Sequence, residues 1–319
     1  MDVHISVWFR FVMWVAAAVA LLDALSLALF PDKTASYFAW AIQNPLTPIF
    51  MAGGYLTVTI FLALTPLLTR FEWSKNRMTI AAGVVFTGVM GIATFLHLPT
   101  FFWDRFGAWL WALLYVLYPP LFAFGFWWYE RVYGGEGSRG IVTVPVSRTA
   151  RTAIIVAACL LGALGIALFL FPEAVGNIWP WTLTPLTAQV VAAWLLALAC
   201  FAAFLGRVRN WETMRWVTIG GLGWPILLLV DCPRFEDSFK SETYAAVFYA
   251  VVLLWVAGIV VLVVYHERLG ARARQGTTPH PRHVMTHDTL DRAGSPDPTV
   301  PTAPSAPSAP SVAEQRGDR

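Results

Sequence analysis

The sequence predicts an all-α integral membrane protein with eight transmembrane helices, arranged as two parallel four-helix repeats and followed by a disordered C-terminal tail. Composition is the first reason: 57% of the 319 residues are hydrophobic and only 13% are charged, against about 25% charged residues in soluble domains. The second is a series of apolar runs near the length of about 20 residues that crosses a bilayer. The third is that short motifs recur about 140 residues apart.

Eight apolar runs mark the predicted spans. They lie at residues 11–30, 47–69, 78–98, 108–129, 152–172, 185–205, 216–231 and 243–265, and the run at 216–231 is the shortest. Apolar residues fill these runs continuously, which favours helices over membrane strands with alternating polarity. Arg10 and the first run also fit the start of a signal peptide. Because that run reaches Phe30 and has a counterpart in the second half, we expect it to be retained.

A motif that ends one run and opens the next occurs twice. Residues 30–47 and 171–187 both start with Phe-Pro and end with Pro-Leu-Thr. Proline after a long apolar run stops a helix, and Asn or Thr before a second proline suits the start of another. Trp40, Trp179 and Trp181 lie between these points, and indole rings favour the membrane–water boundary. We therefore expect short interfacial hairpins with these three tryptophans as anchors.

Further pairs of similar residues extend the duplication. Phe71-Glu72 corresponds to Trp211-Glu212, 140 residues later, and Glu130-Arg131 corresponds to Glu267-Arg268, 137 residues later. Each half contains an even number of spans, so both insert with the same orientation. We therefore expect a pseudo-two-fold axis along the membrane normal, as in transporters with parallel repeats.

Composition and the duplication set the domain boundaries. Residues 1–133 and 151–268 form the two predicted repeats, and the Gly-rich segment 134–150 is a predicted cytoplasmic linker. Residues 269–319 are rich in Pro, Ser, Thr, Ala and Arg, and such a composition cannot bury enough apolar surface to fold. The prediction there is a disordered cytoplasmic tail.

With these motifs the chain resembles a group of uncharacterised bacterial multi-pass membrane proteins built from a duplicated four-helix unit. The resemblance covers about residues 20–265. It rests on Phe38-Ala39-Trp40 with Pro45-Leu46-Thr47, on Trp179-Pro180-Trp181 with Thr184-Pro185-Leu186-Thr187, and on His97 before an aromatic loop. It implies the architecture alone, because the group has no settled activity to carry over.

Basic residues in the short loops predict the orientation. The loops after the second, fourth and sixth runs carry ten Lys and Arg residues, against four in the loops on the other side. Positively charged loops stay in the cytoplasm. We therefore expect a multi-pass protein of the cell membrane with both termini cytoplasmic.

Three ionisable residues near the outer ends of the spans are the candidate binding site. Asp23 lies about 10 Å below the end of the first run at helical rise. His97 and Asp231 each precede a proline by two residues, at equivalent places in the two halves. Ionisable groups inside a membrane are rare and often functional. We expect the three to converge near the outer face, although His97 and Asp231 are shallow enough simply to be hydrated there.

The seventh run carries a candidate hinge. Gly220, Gly221, Gly223 and Pro225 weaken a helix and remove one of its hydrogen bonds. A short span interrupted by Gly and Pro is a pointer to a broken helix that lines a binding site. Close packing by small residues with a tolerated kink explains the same residues without a site.

No motif for a metal, cofactor or nucleic acid was found in the sequence. No two histidines lie three or four residues apart on a span, so neither a haem nor a metal site is predicted. The three cysteines form no C-x-x-C pair, and no P-loop or Rossmann pattern occurs. Beyond the lipid bilayer and a small solute or ion, no partner is predicted.

Three classes of function stay open. A transporter or channel-like protein for a small solute or ion is favoured, because the outer polar residues and the interrupted seventh run suit that role. A non-catalytic membrane scaffold or complex subunit is the alternative. A membrane enzyme acting on a lipid-soluble substrate comes third, since no paired carboxylates or nucleophile–base set is evident.

Overall fold

Eight long helices form the fold in the computed structural model, which describes residues 4–133 and 144–276. Their bounds are Val7–Leu29, Leu46–Leu68, Trp73–Leu96, Phe106–Tyr133, Arg148–Leu170, Pro185–Leu205, Trp211–Ser238 and Glu242–Arg272, and we number them as the first to eighth spans. All are long and apolar enough to cross a membrane. Within the described ranges no strand forms, and only two isolated β-bridges occur. The prediction of an all-α protein with eight spans of membrane-crossing length is confirmed.

The observed helix boundaries follow from their capping residues. Ser6 and Ser147 cap the first and fifth spans, each accepting a hydrogen bond from the backbone N–H three residues later. Both spans end one residue before a Phe-Pro pair, where proline prevents the helix from continuing. Thr184 and Thr187 form a reciprocal capping box at the start of the sixth span.

Four spans form the inside of the bundle and four surround it. The second span packs along the seventh and the third along the sixth. The first, fourth, fifth and eighth spans lie against the second, third, sixth and seventh, respectively. Leu160 on the fifth span and Leu254 on the eighth are 67% and 72% exposed. Such extensive exposed apolar surface is what a lipid environment stabilises.

The two ends of the bundle differ in chemistry. The end formed by residues 4–6, 69–73, 130–133, 144–148 and 206–211 contains five Arg, and we call it the basic end. The end formed by residues 30–45, 97–105, 171–184 and 232–241 carries the duplicated loops, and we call it the aromatic end.

The tryptophans of the aromatic end lie inside the protein. Trp40 and Trp181 are 1% and 0% exposed, so the prediction that they anchor the protein at the membrane surface is wrong. Trp40 packs against Phe101 and Trp111, and the Trp181 Nε1–H donates to Thr47 Oγ1 at 2.8 Å. Trp179 is half-buried against the core. The loops fold back over the bundle, where large aromatic rings bury more apolar area than at an interface.

The seventh span is broken at its glycines. One helix, Trp211–Gly220, ends and another, Gly223–Asp231, begins after Gly221 and Leu222. A Cβ on Gly220 would lie 2.8 Å from Ile60 Cγ2, and one on Gly223 would lie 2.7 Å from Ile60 Cδ1. The break therefore packs closely against the second span, where residues Ile60–Leu64 form a π-helical turn. Pro225 lies in the first turn of the second helix, where no N–H is needed.

A polar cluster at the basic end joins the third and fourth spans. Glu130 accepts hydrogen bonds from Trp73 Nε1–H and Arg77 Nη2–H, both at 3.0 Å. The Tyr129 ring stacks on Trp73 with centroids 4.8 Å apart. The cluster therefore pairs an indole N–H and a guanidinium N–H with one carboxylate.

A second cluster with the same composition joins the seventh and eighth spans. Glu267 accepts from Trp211 Nε1–H at 3.0 Å and from Arg215 Nη2–H at 3.1 Å, and the His266 ring stacks on Trp211. By its contacts, Trp211 matches Trp73, an offset of 138 residues, and not Phe71.

Two predicted segments fall partly or wholly outside the described residues. Residues 134–143 of the predicted linker lie outside the described residues. Closer to the fifth span, Val146 N–H donates to Arg209 O at 2.9 Å, which holds this part of the linker at the basic end. Of the tail, residues 277–319 lie outside. The eighth helix continues to Gly276, so the predicted boundary at residue 269 falls inside a helix.

Candidate functional site

A cavity of about 120 Å³ lies within the bundle and is the candidate site. Residues of the first, second, third, fourth, sixth and seventh spans line it. On the first span the lining residues run from Ala16 to Asp23, a rise of about 10 Å along the helix. The cavity therefore extends along the bundle axis and touches both halves of the chain.

Among the residues that the structure describes, Asp23 is the only charged one that lines the cavity. Its side chain is half-buried, and its carboxylate has no hydrogen bond or ion pair with any residue that the structure describes. Its backbone carbonyl alone accepts a bond, from Ser26 Oγ–H at 3.2 Å. An unpaired carboxylate within an apolar span is energetically costly, which makes Asp23 a functional candidate.

A pair of tyrosines lies beside Asp23. The hydroxyls of Tyr55 and Tyr115 are 2.8 Å apart, and either can donate to the other. Both rings are buried, and both tyrosines line the same cavity as Asp23. Pro119 leaves the Tyr115 carbonyl without its helical partner. That carbonyl lies against Gly91, where a Cβ would be only 2.8 Å from the oxygen.

Nine of the residues that line the cavity carry aromatic rings. The Trp194 centroid lies 4.0 Å from that of Phe86, 5.0 Å from that of Tyr55 and 5.1 Å from that of Trp224. Gly54 permits this packing, because a Cβ there would lie 2.7 Å from Trp194 Cζ3. The sixth and seventh spans therefore approach the second span through indole rings.

The first and fourth spans bound the cavity beside Asp23. Toward the basic end they touch directly, since the Phe9 ring packs against Phe122 and covers Gly125. Nearer the aromatic end, Ala16 to Asp23 and Leu114 to Phe122 face the cavity from the two spans. The carboxylate therefore lies at the cavity end that is nearer the aromatic end.

Tyr37 lies beside the last turn of the first span, at the aromatic end. Its hydroxyl lies 3.0 Å from Ser26 O and 3.2 Å from Phe30 O, so it can donate to either carbonyl. Burial, followed by the negative charges of Asp23 and Asp32, raises the pKa of Tyr37 to about 12. Tyr37 is therefore a protonated donor at neutral pH.

His97 contacts the second half of the chain and not an acid. Its Nε2–H donates to Gln189 Oε1 at 3.0 Å, and Gln189 Nε2–H donates to Phe169 O at 3.1 Å. The second bond fixes the orientation of the amide, so the His97 Nε2 must carry the proton. The third span is thereby tied to the sixth.

Asp231 is paired within its own segment. Arg234 Nη1–H donates to the Asp231 carboxylate at 3.0 Å and also lies 3.1 Å from Ala28 O on the first span. Among the described residues no hydrogen bond or ion pair joins any two of Asp23, His97 and Asp231. Of these three predicted site residues, only Asp23 lines the cavity.

No relative identifies the chain. Comparison with protein-family models, characterised proteins and solved structures finds no match. In residues 4–133 and 144–276, no group of three or more His, Cys, Asp or Glu side chains is placed to hold a metal ion. The site must therefore be interpreted from its own residues.

Several site residues were missed by the sequence analysis. Gln189 is an amide inside an apolar run, which was a usable signal. Tyr55 follows two glycines in the second run, and such small residues permit close helix contact. Phe86 and Trp194 gave no signal, because aromatic residues occur throughout the spans.

Proposed function

We propose that the chain is a transporter-like protein of the cell membrane that binds a small solute in the cavity around Asp23. The observation that carries the proposal is an unpaired carboxylate in a cavity that residues of six spans line. A role in stability alone does not account for the Asp23 carboxylate, because an isolated acid within an apolar span destabilises the fold. A solute site does account for it, because the ligand supplies the missing partner.

The broken seventh span supports a transport role. Trp224 lies one residue after the start of its second helix and lines the cavity. The break packs against the π-helical turn of the second span, and π-helical turns are frequent at functional sites. Discontinuous helices line the sites of many transporters. We infer that Gly221 and Leu222 act as a hinge that changes the cavity wall.

We also infer that the two halves are parallel repeats related by an axis along the membrane normal. Such an axis exchanges the second span with the sixth and the third with the seventh. The observed packing, second with seventh and third with sixth, is what this exchange requires. The two Trp–Glu–Arg clusters support the same relation.

The orientation is part of the proposal. The basic end carries the loops with most Arg and Lys, and such loops stay on the cytoplasmic side. Both termini are then cytoplasmic, and the cavity end that carries Asp23 lies toward the outside.

A single cysteine inside the cavity tests the proposal. Ala197 lines the cavity and is small, so Ala197→Cys changes its volume little. The variant is made in a chain without Cys159, Cys200 and Cys232. It is treated with a membrane-impermeant thiol reagent, applied from each side of right-side-out and inverted vesicles. We expect modification from both sides, because a transporter exposes its site alternately to each.

Leu254→Cys is the matched control, since Leu254 is an exposed apolar residue on the eighth span and is expected to face lipid. It should not react, because a thiol in hydrocarbon does not ionise. Failure of Ala197→Cys to react from either side would contradict transport and favour a scaffold with a sealed core. Modification from one side alone would also contradict it and favour a receptor-like or enzymatic site.

A further inference from the structure

The lining of the cavity has an unusual combination of groups. It contains one carboxylate, that of Asp23, and aromatic rings from the second, third, fourth, sixth and seventh spans. None of the lining residues is Lys, Arg or His. Among the described residues the Asp23 carboxylate therefore has no basic counter-ion in the cavity lining, and aromatic rings, whose faces attract cations, line the same space.

We propose that the cavity binds a small organic cation of the alkylammonium class, with the Asp23 carboxylate as its counter-ion and the aromatic rings as its walls. This inference rests on the proposed function and names the class of solute. Tyr55 meets Phe86 and Trp194 at interplanar angles of 81° and 87°, so its ring stands nearly perpendicular to theirs, as adjoining walls of one aromatic cage do. Aromatic surfaces of this kind recognise quaternary ammonium groups.

An inorganic cation fits the same cavity poorly. Calcium takes about six to eight oxygen ligands, and magnesium retains most of its water. The cavity offers one carboxylate together with the hydroxyls of its Tyr and Thr residues, and the Tyr55 and Tyr115 hydroxyls already bond each other. A tetraalkylammonium ion has no N–H donors, is weakly hydrated and loses little when aromatic carbon replaces water. The donor set therefore selects against a metal ion.

The volume of the cavity limits the size of the cation that can bind. A cavity of about 150 Å³ with apolar walls admits benzene. The cavity of about 120 Å³ therefore admits roughly five heavy atoms, by the same comparison. Tetramethylammonium has that size, and tert-butanol is a neutral molecule of the same size. This pair separates recognition of charge from filling of space.

The test uses the full-length protein, purified in detergent and titrated with tetramethylammonium chloride. Binding is followed by tryptophan fluorescence, because Trp194 and Trp224 line the cavity. Sodium chloride at equal ionic strength is the blank. We expect saturable binding of tetramethylammonium and at least about tenfold weaker binding of tert-butanol, a factor worth about 1.4 kcal/mol.

Asp23→Asn should weaken tetramethylammonium binding by at least about tenfold, whereas Asp32→Asn should leave it unchanged. Asp32 is the matched control, because it is an exposed carboxylate near the same end of the first span. Equal binding by Asp23→Asn and the unchanged protein would overturn the inference, as would equal affinity for tert-butanol.

A second pair of variants keeps the inference testable if Asp23→Asn does not fold. Tyr55→Leu removes a ring that lines the cavity and should weaken binding, whereas Tyr265→Leu, at an exposed residue of the eighth span, should leave binding unchanged. Equal loss in both would overturn the aromatic contribution. A short-chain phosphatidylcholine, titrated in parallel, shows whether the cation is a free solute or a lipid head group. If Ala197→Cys reacts from both sides while no ammonium binds, the ligand class is wrong and the transport proposal stands.

Discussion

The Tyr55–Tyr115 hydrogen bond allows a sharp test of the environment inside the cavity. Tyr55→Phe leaves the Tyr115 hydroxyl without its partner, and Tyr115→Phe does the reverse. A buried hydroxyl that loses its partner costs about 1–3 kcal/mol of unfolding free energy. The double variant removes both hydroxyls and loses only the net value of the bond, about 1 kcal/mol. We therefore expect the double variant to be more stable than either single variant.

Equilibrium unfolding in mixed micelles of a mild detergent and SDS, followed by tryptophan fluorescence, measures these free energies. Tyr265→Phe is the control, because Tyr265 is exposed on the eighth span and should change stability little. Additive effects, with the double variant as costly as the two singles together, would refute the reasoning. Single variants within about 0.5 kcal/mol of the unchanged protein would show that water solvates the free hydroxyl, and that the site is wet.

Three further predictions concern other parts of the bundle. Glu130→Gln and Glu267→Gln should each lower the unfolding free energy by about 1.5–3 kcal/mol, since each weakens a charged hydrogen-bond pair; clearly unequal losses would contradict the equivalence of the two clusters. Gly54→Ala should cost about 1–3 kcal/mol and shift tryptophan emission, because its Cβ would lie 2.7 Å from Trp194 Cζ3; an unchanged spectrum would contradict that contact. Because the pKa of Tyr37 rises from 10.0 to about 12, its contribution to stability should be constant below pH 10 and be lost as the pH rises toward 12; Tyr37→Phe should abolish that loss in an unfolding titration against pH.

The helices could be predicted because local chemistry determines where they start and stop. Pro31 and Pro172 end apolar runs wherever the rest of the chain lies, and the serine caps act within one turn. Arg234 lies three residues after Asp231, so their pairing is also a local feature. These parts of the fold need no knowledge of which spans meet.

The contacts between spans could not be predicted in the same way. Gln189 meets His97 only because the third span packs along the sixth, and the sequence does not state that pairing. Trp40 and Trp181 were misinterpreted because burial of a loop tryptophan depends on how the loop folds back. The match of Trp73 with Trp211 was missed because the repeat offset changes along the chain, and a shared contact is clearer than a shared residue type.

The central claim is that the cavity around Asp23 is a binding site for an organic cation. A cryo-EM map of the full-length protein in lipid nanodiscs, recorded with and without tetramethylammonium, tests it most directly. We expect compact density between the Asp23 carboxylate and the rings of Tyr55 and Trp194, present only with the cation and absent in Asp23→Asn. Density for an acyl chain in the cavity under both conditions, or a cavity that the cation leaves unchanged, would contradict it.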